Sequence, residues 1–311
     1  MEKLSPAPSL RLLLDHFAAI RDWRQPCKVM YPLHEVLLLV CGTIACGDDY
    51  DDIADWGEAH LAFLRRFSEF HFGLPWAGWL RVVMNRINPG LFADCFTAWV
   101  AAAIPGKIDL VAIDSKTSRR SHDRAGNKLP LHLVSAFASH DQLVLGQQSV
   151  DEKANEIIAI PDLIALIETR SRTVSHTASW LSCERSYSGA PRFPNLAMAA
   201  RIERRVEWRS ETSCERSYYI SSRALSAEAF ADAVRSHWAI ENSLHWVLDV
   251  TFHEDLSRLR QGHGARNMAI VRHFAFNCLK QVKDKRSMKT RRKRASYDPA
   301  YMLSIIQPPS R

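Results

Sequence analysis

Two stretches of this chain carry side chains suited to metal-assisted chemistry. In "LVAIDSKTSRRS", residues 110–121, an apolar run stops on Asp114 and turns at once into Ser, Lys, Thr and two Arg. In "WAIENSLHWVLD", residues 238–249, Glu241, His245 and Asp249 recur every fourth residue, so they share a helix flank beside Ile240, Leu244, Val247 and Leu248. A carboxylate at the tip of a buried strand is positioned by the sheet yet open to solvent, a good ligand for a hard divalent ion such as Mg2+. Two such ions about 3.5–4 Å apart can activate a water and stabilise a leaving oxygen in phosphoryl transfer. Asp114 and Glu241 could converge on such a site. Each also has a plainer reading: Asp after a strand is a common turn or capping residue, and a helical Glu commonly makes a surface ion pair. His237, His245 and His253 recur every eight residues, which is not one helical face, so packing or hydrogen bonding is favoured over zinc ligation.

Cations accompany these carboxylates. Arg119, Arg120 and Arg124 would hold phosphates beside a metal site. Residues 280–294, "KQVKDKRSMKTRRKR", hold nine Lys or Arg against one Asp, so they account for all of the chain's net charge of +7 and leave the rest close to neutral. Lys285, Arg286, Arg291, Arg292, Lys293 and Arg294 within this run suit a nucleic-acid backbone; neutralising about six phosphates would give a log–log salt slope of about −5. A basic tail also fits RNA binding or plain solubility. Trp238 and Trp246 could stack on a base, although packing in a core or groove wall is the commoner use of Trp.

The elements that position these residues follow from period and punctuation. With 311 residues, 47% of them hydrophobic, the chain can build one large core or two modest ones. From Ser9 to about Trp99 the pattern is helical: "LHEVLLLVCGTIACG", "YDDIADWGEAHLAFLRRF" and "PGLFADCFTAWVAAAI". "GDDYDD" could be a metal loop, but acids ahead of a helix ordinarily favour its N-terminal dipole. After Pro105 and Gly106 the period shortens. "KIDLVAID", "LHLVSAFAS" and "QLVLGQQSV" predict three sequential strands, the last two joined by a tight turn at "HD". "ANEIIAIPDLIALIE" predicts a helix that Pro161 bends or restarts as a new first turn, residues 169–195 a loop, and residues 200–222 a hairpin joined across "RSETSC". Helical period returns from Ala227, and "ARNMAIVRHFAFNCLKQVK" leads into the basic run. This is an α/β pattern behind a helical N-terminal domain, with divisions at residues 1–104, 105–279 and 280–311.

No window is apolar enough for a membrane span and the N-terminus is not a secretory signal, so the expectation is a cytoplasmic protein. Seven Cys without C-x-x-C spacing read as reduced packing residues, not a disulfide framework or a zinc knuckle.

The stretches "VAIDSKTSRRSHDRAGNKLPLHLVSAFASHDQLVLGQQSVDEKANEIIAIPDLI" and "AVRSHWAIENSLHWVLDVTFHEDLSRLRQGHGARNMAIVRHFAFNCLK" closely resemble insertion-sequence transposases of the DDE class, in the branch with an H-W-x-I-E-N helix. "GDDYDDIADWGEAHLAFLRRF" and "RINPGLFADCF" resemble that family's N-terminal domain. The resemblance implies an RNase H-like mixed sheet flanked by helices, with a small all-α N-terminal domain. It also implies two Asp and one Glu binding two Mg2+ (or Mn2+). Such enzymes act as oligomers on DNA, cutting at an element's terminal inverted repeats and joining the freed 3′-hydroxyl to target DNA. The first Asp corresponds to Asp114, in D-S-K where D-G-K is usual, and the Glu to Glu241; Asn242, His245, Asp249 and Asp255 fall in the same signature block as helpers or structural positions. Val234 and His237 stand at the Tyr and Arg positions of the related Y-x-x-R-x-x-x-E pattern.

The second Asp has no counterpart. The family places it at the end of the strand after the helix that closes near Glu168, and this chain has no aspartate between Asp162 and Asp232. An internal deletion that removed one sheet strand and its aspartate accounts for this. A two-metal site would then lose a bridging ligand and a negative charge, with a severe loss of activity; the neighbouring strands would be left with open edges. Glu184 could substitute, but it stands in the loop context "SCERSYSG". The alternative to a working transposase is an inactive, transposase-derived DNA-binding protein.

Overall fold

The structure, a computed structural model, describes residues 14–38, 40–103, 111–122, 129–139, 141–150, 198–208, 211–221, 223 and 225–306. The chain divides into two compact units, Met1–Ser171 with Ala239–Arg311, and Arg172–Trp238.

In the first unit the predicted helical run forms α1 (Leu33–Leu38), α2 (Val40–Ile44), α3 (Tyr50–Ala59), α4 (Leu61–Leu64), α5 (Ala77–Arg86) and α6 (Pro89–Ala103). The acids of "GDDYDD" favour the start of α3: Asp49 accepts hydrogen bonds from the backbone N–H groups of Asp51 and Asp52, both at 3.0 Å, an N-cap that satisfies donors the helix cannot.

Three antiparallel strands follow in the order β1–β2–β3: β1 (Val111–Ser118), β2 (Leu131–Ala138) and β3 (Leu143–Val150). The β2–β3 turn closes with Gln142 N–H donating to the Ala138 carbonyl, Gln142 taking φ +59°. β1 does not stop on Asp114. β2 pairs with it through to Ser118 opposite Leu131, so Asp114 lies inside the strand. Strand alternation puts Asp114 and Lys116 on one face.

The core gathers round α9 (Gly264–Lys280), which is buried on nearly every side, as a helix enclosed by other elements must be. Phe274 meets the rings of Phe96, Trp99 and Phe17 at centroid distances of 4.9, 5.1 and 5.3 Å. Cys41 and Cys278 are buried free thiols, the latter pushed up to about 12 by burial. Two buried amides fasten neighbours to α9. Asn267 donates to the Met84 and Ile87 carbonyls at the open end of α5, and Asn277 exchanges two bonds with Val144 of β3, at 2.9 and 2.8 Å. Asn277→Ala is expected to cost about 2 kcal/mol in urea unfolding, since both Val144 groups lose a buried partner.

Residues beyond the last predicted helix are themselves folded. α10 (Met288–Tyr297), capped by Ser287 Oγ accepting from Thr290 N–H, and α11 (Pro299–Ile306) bury Ala295, Met302, Ile305 and Ile306 in the same core.

In the second unit β4 (Met198–Trp208) and β5 (Glu211–Ser221) form an antiparallel hairpin. Glu211–Cys214, expected within the connection, are strand, because Trp208 already pairs with Glu211. α7 (Ala227–Ile240) starts after Ser226, whose hydroxyl accepts from Ala229 N–H. The helix expected at "ANEIIAIPDLIALIE", the loop expected over residues 169–195, Arg124, Glu184 and the place of the missing strand all lie outside the described residues. Among the described residues no helix is long and apolar enough to cross a membrane.

Candidate active site

Asp114 is presented by β1 and held in register opposite Ser135 of β2. Glu241 and His245 come from a single π-helical turn, Glu241–His245, which leads into α8 (Trp246–Val250). Trp246 N–H donates to the Glu241 carbonyl, an i to i+5 bond. Such a turn is wider than an α-turn and is rarely kept without a functional reason. It sets residues four apart close to one line, so Glu241 and His245 point the same way.

The ligand atoms of Asp114, Glu241 and His245 lie within 4.8 Å of one another. Glu241 is exposed, Asp114 half-buried and His245 buried. His245 Nδ1 is 3.5 Å from Asp114 Oδ2, and His245 Nε2 has no hydrogen-bond partner among the described residues. Burial lowers the His245 pKa, and Lys116 adds to this against the pull of Asp114, so the ring is neutral and offers a lone pair at pH 7. Two carboxylate oxygens and an imidazole nitrogen fit a divalent cation.

Behind this triad sits a buried ionic cluster that the sequence reading did not anticipate. Lys116 donates to Asp249 Oδ1 and Glu254 Oε2, both at 2.5 Å, and Arg272 stands 3.7 Å from Glu254. Burial works against the charge on Glu254, but Lys116 and Arg272 outweigh it and hold its pKa below the usual value. Burial likewise opposes the Lys116 charge, and Glu254 with Asp249 reverses the effect. For Asp249 burial wins, and its pKa is raised. Lys116 thus ties the strand bearing Asp114 to the segment that follows Glu241 and His245. Its spacing of two from Asp114 was the one available signal; nothing local marks Glu254 or Arg272.

His273, next to this cluster, is fully buried and its pKa is lowered by burial to about 4. The unfolded chain therefore takes up this proton near pH 6.5, well before the folded one does. The stabilising contribution is complete above 6.5 and is lost as pH falls towards 4. Stability should drop by about 2 kcal/mol between pH 7 and 4.5 on this account. His273→Gln should flatten that part of a urea-midpoint profile.

The predicted cations separate into two groups. Arg119 and Arg120 are exposed; Arg119 Nε is 3.6 Å from Asp255, and the Arg120 carbonyl accepts from Arg260. Lys285, Arg286 and Lys293 are also exposed, Arg286 bonding Asp284 at 3.0 Å. Arg291 and Arg292 point inward. Arg291 donates to Asp284 and to the Leu279 carbonyl. Arg292 donates to the Thr43 and Thr251 carbonyls and to Asp48, and lies 4.3 Å over the Phe252 ring. Arg294 is half-buried between Asp298 and the Tyr301 ring. A solvated tail would leave all six on the surface; α10 has an inner face, and two of them occupy it. Trp238 and Trp246 are both more than half exposed.

The model of the transposase DDE domain matches residues 105–278, and the DDE_Tnp_1-associated model matches residues 14–100. The chain is 29% identical to "H repeat-associated putative transposase YhhI" of Escherichia coli K12, with 96% of this chain and 98% of that protein covered. It is also 29% identical to "Putative transposase YncI" of Escherichia coli O157:H7, over 96% and 95%. A shorter similarity, 39% over 21% of this chain and 80% of the relative, is to "Inactive transposase YbfQ" of Escherichia coli K12. No solved structure matches. The alignment with YhhI runs over 372 positions against 311 residues here, so at least 61 positions stand opposite gaps in this chain. With a domain match over more than half its length and full-length similarity to such relatives, the chain belongs to the transposase DDE domain family.

Proposed function

We propose that this protein is a DNA-binding insertion-sequence transposase with an RNase H-like catalytic domain, whose metal-dependent end cleavage and strand transfer are severely reduced by loss of the second aspartate. The observation that carries the reading is the meeting of Asp114 and Glu241, distant in sequence, at one half-open site. A divalent ion bound there would supply activation of a water and charge stabilisation at the scissile phosphate. Asp114 and Glu241 would be its ligands, and Arg119, Arg120, Lys285, Arg286 and Lys293 would hold DNA phosphates. The substrates are the element's terminal inverted repeats and target DNA, engaged by a homo-oligomer in the bacterial cytoplasm. The gaps of the YhhI alignment support an internal loss, as does the absence of any aspartate between Asp162 and Asp232.

The test is nicking of supercoiled plasmid in Mn2+ and in Mg2+. Weak nicking that Asp114→Asn and Glu241→Gln each abolish is the expected result. Nicking that survives both substitutions would refute this site. Folded protein that binds DNA and never cuts it would leave the second reading, a binding protein derived from a transposase, which the missing aspartate favours.

A further inference from the structure

We infer that His245 is the third protein ligand of the metal site, so that the chain holds one first-row divalent ion on Asp114, Glu241 and His245 in place of a Mg2+ pair. This deepens the proposed function and rests on its assignment of Asp114 and Glu241 as metal ligands.

The geometry leads here. Among the described residues these three form the one group of three or more His, Cys, Asp or Glu side chains able to reach a common ion. His245 is more than nine-tenths buried, and its Nδ1 stands 3.5 Å from Asp114 Oδ2. Packing thus fixes an imidazole nitrogen against the carboxylates, as a preformed ligand set requires. The nearby carboxylates that could have served instead are engaged, since Asp249 and Glu254 both hold Lys116 at 2.5 Å. Charge points the same way: two carboxylates balance one divalent ion, whereas a second ion would sit uncompensated near the Lys116 cation. The donor set then decides the metal. Mg2+ keeps to oxygen ligands and water, whereas imidazole suits transition ions, so Mn2+ or Co2+ is preferred.

The experiment is Mn2+ titration of the purified full-length chain by electron paramagnetic resonance, followed by pulsed measurement of nitrogen coupling to the bound ion. One Mn2+ per chain should bind, showing 14N coupling and withstanding a tenfold excess of Mg2+. His245→Gln should remove the coupling and weaken Mn2+ by about tenfold, with Mg2+ affinity within about twofold of the original. Bound Mn2+ without nitrogen coupling, but still dependent on Asp114 and Glu241, overturns the role of His245 alone. Binding indifferent to Asp114→Asn overturns the underlying site as well, as does folded protein that takes up no Mn2+. Should His245→Gln fail to fold, the coupling in the unsubstituted chain still decides.

Discussion

A chain carrying Lys116→Met is expected to lose about 4 kcal/mol of folding stability, read as a lowered urea midpoint. Lys116 is 11% exposed and is the near cation for both Asp249 and Glu254. Glu254, only 2% exposed, would keep Arg272 at 3.7 Å as its remaining charged partner in the cluster. Removing one member of a buried ion cluster leaves the others desolvated and uncompensated, and that penalty exceeds the worth of the bonds themselves. Pairing Lys116→Met with Glu254→Gln should recover part of the loss, and a double-mutant cycle measures the coupling. Arg119→Ala is the control: its partner Asp255 is 3.6 Å away and Arg119 is 82% exposed, so its cost should stay below about 1 kcal/mol. A Lys116→Met cost as small as that of Arg119→Ala would show that the cluster does not hold β1 to the segment after Glu241.

Arg292→Met is expected to cost about 3–5 kcal/mol, while its neighbour Lys293→Gln changes stability by less than about 0.5 kcal/mol. The guanidinium of Arg292 closes off carbonyls at Thr43, in the last turn of α2, and Thr251, just after α8, and pairs with Asp48 at 3.0 Å. Those carbonyls lie at helix ends, where the backbone leaves acceptors open. Met keeps the apolar contact with Phe252 but satisfies none of them. On DNA the order reverses. Lys293→Gln should reduce the log–log salt slope by about one and weaken binding whatever the sequence, whereas Arg292→Met, assayed per folded molecule, should leave the slope unchanged. Equal loss of DNA affinity from both substitutions would mean that Arg292 reaches DNA despite its burial.

Much of this architecture is legible in local pattern. The period-four recurrence of Glu241, His245 and Asp249 identifies a shared helix flank, and the apolar runs around Val134 and Val144 identify paired strands. Both signals are repeats in a short window, and short windows are what backbone periodicity controls. Asp114 and Glu241 stand out because carboxylates beside apolar runs are conspicuous there. Reading β1 as ending on Asp114 failed for a related reason: polarity after Asp114 looks like exposure, yet Lys116 is drawn inward by Asp249 and Glu254, more than 130 residues away.

By itself the sequence determined the N-terminal helical run, the three successive strands and the apolar helix before the basic run, and it singled out Asp114 and Glu241 as candidates. Only the tertiary structure decided that Arg291 and Arg292 turn inward while Lys285 and Lys293 face solvent, that Asp48 serves Arg292 and His253, and that a π-turn brings His245 to Asp114. These outcomes depend on where distant charges meet inside a low-dielectric interior, where each buried ion must find its counter-ion. No local period encodes that pairing.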